Sequence, residues 1–225
     1  MNDLETLLQN NSVFSVLGAD DRQLMMRQAR RHTYSKDETV ILYGDVWPHL
    51  FLVGEGKVEA LKESSDGRSL HVGCFGKGEI FWGLAFFHEK APMPVTLEAR
   101  EKSQIYLWSK DSALPIILRN GRVSWEISRL MADRMQRASE LVEGLAFHPV
   151  AGRLARLLLD HFETAGDSSI LRFLTLDEMA ARIGSTREMV CRALYSFSDK
   201  KLIEVTRTEF VLTDHEGLAQ LSKHV

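Results

Sequence analysis

Between Thr39 and Trp108 the chain is cut into short apolar runs by glycines at 44, 54, 56, 67, 73, 76, 78 and 83, and after Lys110 the glycines thin out. Runs of this length and spacing predict antiparallel strands joined by tight turns. Asp66-Gly67, between VEALKESS and RSLHVGCF, marks one hairpin, since glycine supplies the positive φ that the turn requires. Closing such strands into a barrel-like roll removes exposed edges and leaves an interior that side chains fill or a ligand occupies. From Val123 to Leu145 the period becomes helical: Met131, Ala138 and Leu145 recur every seven residues, with Met135 and Val142 between them. That is a coiled-coil seam, and Ile127 at its start belongs to it. Ile127, Leu130 and Leu141 widen the stripe, so the helix should pack on its own roll as well as on a partner. A helix buried within a monomer would show the same stripe; the uninterrupted length favours a homodimer.

The order of elements predicts an α+β protein in three parts. Residues 1–109 form a β-roll preceded by a small helix, DDRQLMMRQARR, with Asp20 as N-cap and Gln23 at capping-box spacing. Residues 110–146 carry the dimerisation helix. Residues 147–225 form a helical domain that begins at Phe147-His148-Pro149, where the proline interrupts one helix and opens the next. Phe147 is the expected hinge. PVAGRLARLLLDHFETAG then presents Val150, Leu154, Leu157 and Leu158 at helical spacing and ends at Ala165-Gly166.

Composition narrows the class. With 44% hydrophobic and 26% charged residues the chain is an ordinary globular one. The start MNDLETLLQNNS lacks a basic segment followed by an apolar core, and no apolar run approaches the ~18 residues that span a bilayer. A cytoplasmic protein without a membrane partner is expected. Cys74 and Cys191 cannot form a disulfide framework and have no zinc-site spacing around them. No nucleophile-base-acid set, P-loop or metal cluster suggests an enzyme. The net charge of −3 rules out a uniformly basic coat, so contact with nucleic acid requires a local patch.

LTLDEMAARIGSTREMVCRALYSFSDKKLIEVTRTEFVLTDHEGL, from Leu174 to Leu218, is the candidate, although Arg182, Arg187, Arg192, Lys200, Lys201 and Arg207 are balanced there by Asp177, Glu178, Glu188, Asp199, Glu204 and Glu209, so modest non-specific affinity is expected. It reads as helix, tight turn, helix and hairpin. Thr175 or Asp177 starts the first helix, Gly184 makes the turn, and Ser185-Thr186-Arg187-Glu188 has capping-box spacing for the second. Met189, Val190, Ala193, Leu194 and Phe197 should face the core, leaving Arg187, Glu188, Cys191, Arg192 and Tyr195 outward. LIEVT and FVLT, joined through Arg207-Thr208-Glu209, form a wing. An arginine at the start of a groove-bound helix can bond guanine O6 and N7 together, and a carboxylate can accept from cytosine N4, so Arg187, Glu188 and Arg192 suit base readout. Ser185, Thr186, Lys200, Lys201 and Arg207 suit contacts to the phosphates. A protein-binding module of the same shape stays open as the alternative.

FLVGEGKVEALKESSDGRSLHVGCFGKGEIFWGL, GLAFHPVAGRLARLLL and DEMAARIGSTREMVCRAL together resemble the cAMP receptor protein (Crp/Fnr) family over almost the whole chain. The resemblance implies a cyclic-nucleotide-binding-like roll, a dimerisation helix and a C-terminal winged helix-turn-helix, with double-stranded DNA and RNA polymerase as partners. In that family R-E-x-x-x-R reads a TGTGA-type half-site, and it stands here as Arg187, Glu188 and Arg192. Cys191 occupies a position that usually holds glycine or serine.

The sensor half departs from the cAMP-binding pattern. Gly83 stands where a glutamate would hold the ribose, and Met93, Pro94 and Val95 where arginine and serine would hold the cyclic phosphate. A buried phosphate would then lack a counter-charge, a severe penalty. Ala138-Ser139 replaces the threonine-serine pair that meets adenine. No resident cofactor and no control by cAMP are expected. An iron–sulfur cluster needs cysteines near the N-terminus, and none precedes Cys74. Control through haem at His71 and Cys74, or through redox chemistry at Cys191, stays open, as does an apolar effector site formed by Phe81, Trp82, Gly83, Met93, Val95 and Ser139.

Overall fold

The computed structural model describes residues 3–172 and 174–223. The chain divides into two compact units, Met1–Lys62 with Val72–Gln136, and Glu63–His71 with Arg137–Val225.

The first unit opens with α1 (Asp3–Asn10) and α2 (Ala19–Gln28), continues through β1 (Arg30–Tyr34), β2 (Thr39–Ile41), β3 (His49–Glu55) and β4 (Val58–Glu63), and includes most of β5 (Ser69–Phe75). It then adds β6 (Ile80–Trp82), β7 (Thr96–Ala99), β8 (Ser103–Ser109), α3 (Lys110–Arg119) and the first part of α4 (Gly121–Phe147). Two four-stranded sheets, ordered β1-β8-β3-β6 and β2-β7-β4-β5, make the expected roll. Side chains alternate across a strand. On β3, Leu50 and Leu52 join one core while Phe51 and Val53 join another; on β8, Tyr106 and Trp108 divide in the same way from Ile105 and Leu107. One core fills the roll. The other seals its outer face under the helices, where the Trp108 indole N–H donates to Met25 O at 2.8 Å.

α1 was not anticipated, although Leu4, Leu7 and Leu8 are its buried face. α2 is capped by Gly18 rather than Asp20; Asp20 and Asp21 lie in its first turn, where acidic side chains favour the positive end of the helix dipole. The Asp66-Gly67 hairpin forms, with the Ser64 amide donating to Arg68 O at 2.9 Å and Gly67 at φ 78°.

The second unit holds the rest of α4, then α5 (Val150–Ala165), β9 (Ser169–Leu171), α6 (Leu176–Ile183), α7 (Arg187–Asp199), β10 (Ile203–Val205), β11 (Glu209–Leu212) and α8 (His215–Lys223). Gly166 ends α5 in the left-handed conformation, as Ala165-Gly166 suggests. The predicted two-stranded wing has a third member: the sheet order is β10-β11-β9. Leu154, Leu158, Phe162, Met179, Val190, Leu194, Phe197 and Phe210 sit in one continuous core that packs the helices against this sheet.

Candidate nucleic-acid interface

The two helices of the helix-turn-helix are set by their ends. Thr175 caps α6 with a full capping box: its hydroxyl accepts from the Glu178 amide at 3.2 Å, and the Glu178 carboxylate accepts from the Thr175 amide at 2.8 Å. Gly184 closes α6 at φ 61°, and the amides of Gly184 and Ser185 both return to Ala180 O. α7 is capped by Thr186, whose hydroxyl accepts from the Met189 amide at 3.3 Å. Ser185-to-Glu188 was the expected capping box; the observed cap is one residue later and has no reciprocal carboxylate. Glu188 instead pairs with Arg192 one turn on.

Val190, Ala193, Leu194 and Phe197 bury one face of α7. Met189, expected in that core, is 38% exposed, because it lies at the edge of the apolar stripe. The opposite face presents Arg187, Glu188, Arg192 and Tyr195 to solvent, while Cys191 is half-buried. All three proposed readout side chains therefore emerge from the first two turns of one capped helix. Each is held by a surface ion pair: Arg187 with Asp177 at 3.0 Å, and Arg192 with Glu188. Such exposed pairs are worth about 0–1 kcal/mol, so a base or phosphate can displace them.

The proposed backbone contacts lie at the two ends of α7 and in the wing. Thr186 lies at the α7 N-terminus, whose first amides have no partner inside the helix and point outward. Lys200 ends α7, and Lys201 follows at φ 55°. Arg207 sits exposed in the β10–β11 turn, which the Thr206 hydroxyl shapes by accepting from the Glu209 amide at 2.9 Å. Ser185 is half-buried beside Gly184.

Along α4, Ile127 is buried in the core of its own unit, with Met131 packed against that core. Met135 and Val142 are 73% and 64% exposed, with Ala138 and Ser139 exposed between them. Leu145 packs on Gly184, so Ile127 and Leu145, both assigned to the seam, have neighbours within their own chain. Phe147 is exposed at the end of the helix.

In the roll, Phe81, Met93 and Val95 pack in the interior core, while Trp82 belongs to the outer one. A Cβ on Gly83 would stand 1.9 Å from Trp47 O, so the backbone of Trp47 leaves no room for any side chain there. Sequence reasoning missed Arg134 of α4. Its guanidinium lies 4.6 Å from the Trp82 ring and 5.2 Å from Phe75, and it donates to Ile80 O. The expectation that the roll offers no cation overlooked this residue. One of its donors and its face are nevertheless engaged by the protein. His71 and Cys74 lie three apart on β5, so their side chains leave opposite faces of the strand. Among the described residues no group of three or more His, Cys, Asp or Glu is placed to hold a metal ion, and no helix is long and apolar enough to cross a membrane.

Residues 31–120 match the family described as cyclic nucleotide-binding domain, and residues 152–221 the Crp-like helix-turn-helix domain. The cAMP-activated global transcriptional regulator Vfr of Pseudomonas aeruginosa is 28% identical over 189 residues, spanning 80% of this chain and 88% of that protein. A CRP-like cAMP-activated global transcriptional regulator of Mycobacterium tuberculosis is 25% identical over 98% of this chain and all of its own length. Among solved structures, the c-di-GMP responsive global regulator CLP of Xanthomonas campestris shares the fold, with a TM-score of 0.76 at 23% identity over 87% of this chain and 99% of its own.

The Gly83 contact yields a prediction. Gly83→Glu restores the side-chain type expected of a ribose ligand, yet it should lower stability by about 2 kcal/mol or more in urea denaturation and create no cAMP binding. A stable variant that gains cAMP affinity would show that the Trp47 backbone yields.

Proposed function

The chain belongs to the Crp/Fnr family of transcription regulators, and on that premise we propose that it binds a TGTGA-like palindrome as a homodimer, without requiring cAMP. The observation that carries this reading is the face of α7, where Arg187, Glu188 and Arg192 stand exposed while the other face is locked into the core. A helix held in this way can enter the major groove with its first turns against base edges. Arg187 reads a guanine, Glu188 a cytosine and Arg192 a neighbouring base, while Ser185, Thr186, Lys200, Lys201 and Arg207 grip phosphates on either side.

Dimerisation places two such helices in successive grooves. Met135, Ala138 and Val142, exposed along α4, supply the apolar strip that a second copy covers. RNA polymerase is the partner through which a bound dimer acts, in the cytoplasm. The relatives named as cAMP-activated do not carry that property over to this chain, since Gly83 admits no side chain and Met93 and Val95 are buried in the roll. An apolar effector among Phe81, Met93 and Val95 in the interior of the roll, or a fixed active conformation, sets the geometry around Phe147.

Arg187→Ala separates base readout from general attraction: binding to the palindrome should weaken by roughly 1–3 kcal/mol and lose its preference at one guanine in a base-substitution series. Retention of the full preference removes Arg187 from readout. Lys201→Asn keeps a residue that tolerates positive φ but removes the charge. It should weaken all duplexes alike and reduce the slope of log affinity against log salt by about one. An unchanged slope places Lys201 away from the phosphates.

A further inference from the structure

Arg153 lies in the first turn of α5, and nothing in GRLARLLL gives it a role. Its guanidinium meets the ends of two other helices. Nε donates to Ile183 O at 2.7 Å and Nη2 to Gly184 O at 3.3 Å, both at the end of α6. Nη1 donates to His148 O at 2.6 Å and to Gly144 O at 3.4 Å, at the end of α4. Helix C-termini leave carbonyls without intrahelical partners and carry partial negative charge, so one cation serves both ends. A planar fork with five donors spans four carbonyls; a lysine ammonium has only three donors from a single point.

A second contact reinforces the joint. Gly184 approaches α4 so closely that a Cβ on it would stand 2.4 Å from Leu145 Cδ2. The end of α4 is therefore tied, on both sides of Phe147, to the turn that leads into α7.

We propose that Arg153 is a positioning residue for DNA recognition: by stapling the end of α4 to the turn between α6 and α7, it fixes how the recognition helix is carried on the dimerisation helix, and thereby the half-site spacing the dimer accepts. This rests on the palindrome reading above. The staple touches no base and no phosphate; it acts through α7. Its loss leaves each α7 able to read its own half-site but lets the two helices drift relative to one another.

The test uses the full-length protein and Arg153→Lys, each titrated by fluorescence anisotropy against TGTGA-N6-TCACA, the same half-sites separated by four or eight base pairs, a single half-site and a scrambled duplex. The wild type should prefer the six-pair spacer over the other two by roughly ten-fold. Arg153→Lys should lose most of that preference while its affinity for the single half-site stays within about two-fold, because each recognition helix is intact. A wild type indifferent to spacer length overturns the proposal without involving the variant. A variant that keeps the spacer preference overturns it as well. Equal loss on half-site and palindrome, or a variant that no longer folds by circular dichroism, assigns Arg153 to stability alone. A wild type that does not distinguish the palindrome from the scrambled duplex overturns the palindrome reading itself, and this inference with it.

Discussion

The pairing of β3 with β8, in register from His49 with Ser109 to Val53 with Ile105, is the constraint on which the first unit depends. Both strands are apolar on both faces, which an antiparallel sheet with one wet side does not need. The second face exists because α1, α2, α3 and the start of α4 lie on it, with Trp108 and Phe14 in contact across that layer. One strand pair thus builds the interior of the roll and also anchors the helix that leads toward the second unit. α4 begins as a core element at Val123 and Ile127 and becomes an exposed apolar helix at Met135 and Val142.

On the exposed face of α7 the charged side chains are paired with one another or with α6. Arg187 and Arg192 each meet a carboxylate on the same surface. With α7 in the groove as proposed, non-specific attraction to phosphates would be modest, and discrimination would fall to the hydrogen bonds formed as these pairs open onto base edges. The cap at Thr186 and the buried Val190, Ala193, Leu194 and Phe197 hold the helix against the core of its unit.

Elements whose signal is local were legible in the sequence. The Asp66-Gly67 hairpin, the Thr175 start of α6, the Gly184 turn and the long α4 all announce themselves through turn chemistry or periodicity within a few residues. The third wing strand did not, because Ser169–Leu171 is too short to show alternation and is defined only by its partner β11. α1 was passed over because its apolar face is only three leucines long. The α2 cap was misplaced because acidic residues are favourable both at an N-cap and in the first turn. Of the candidate site, the exposed α7 face was readable from the stripe opposite it. Arg134 and Arg153 were not, since their partners are ring faces and main-chain carbonyls, which no side-chain pattern marks. Nor does glycine at 83 reveal that Trp47 crowds it.

On the reading proposed above, the face of α7 recognises DNA without a cyclic nucleotide in the roll. Its most direct test is the affinity of the full-length protein for TGTGA-N6-TCACA and for a scrambled duplex, each with and without added cAMP. That reading predicts clear preference for the palindrome, of the same strength in both conditions. Preference that appears only when cAMP is present would contradict it.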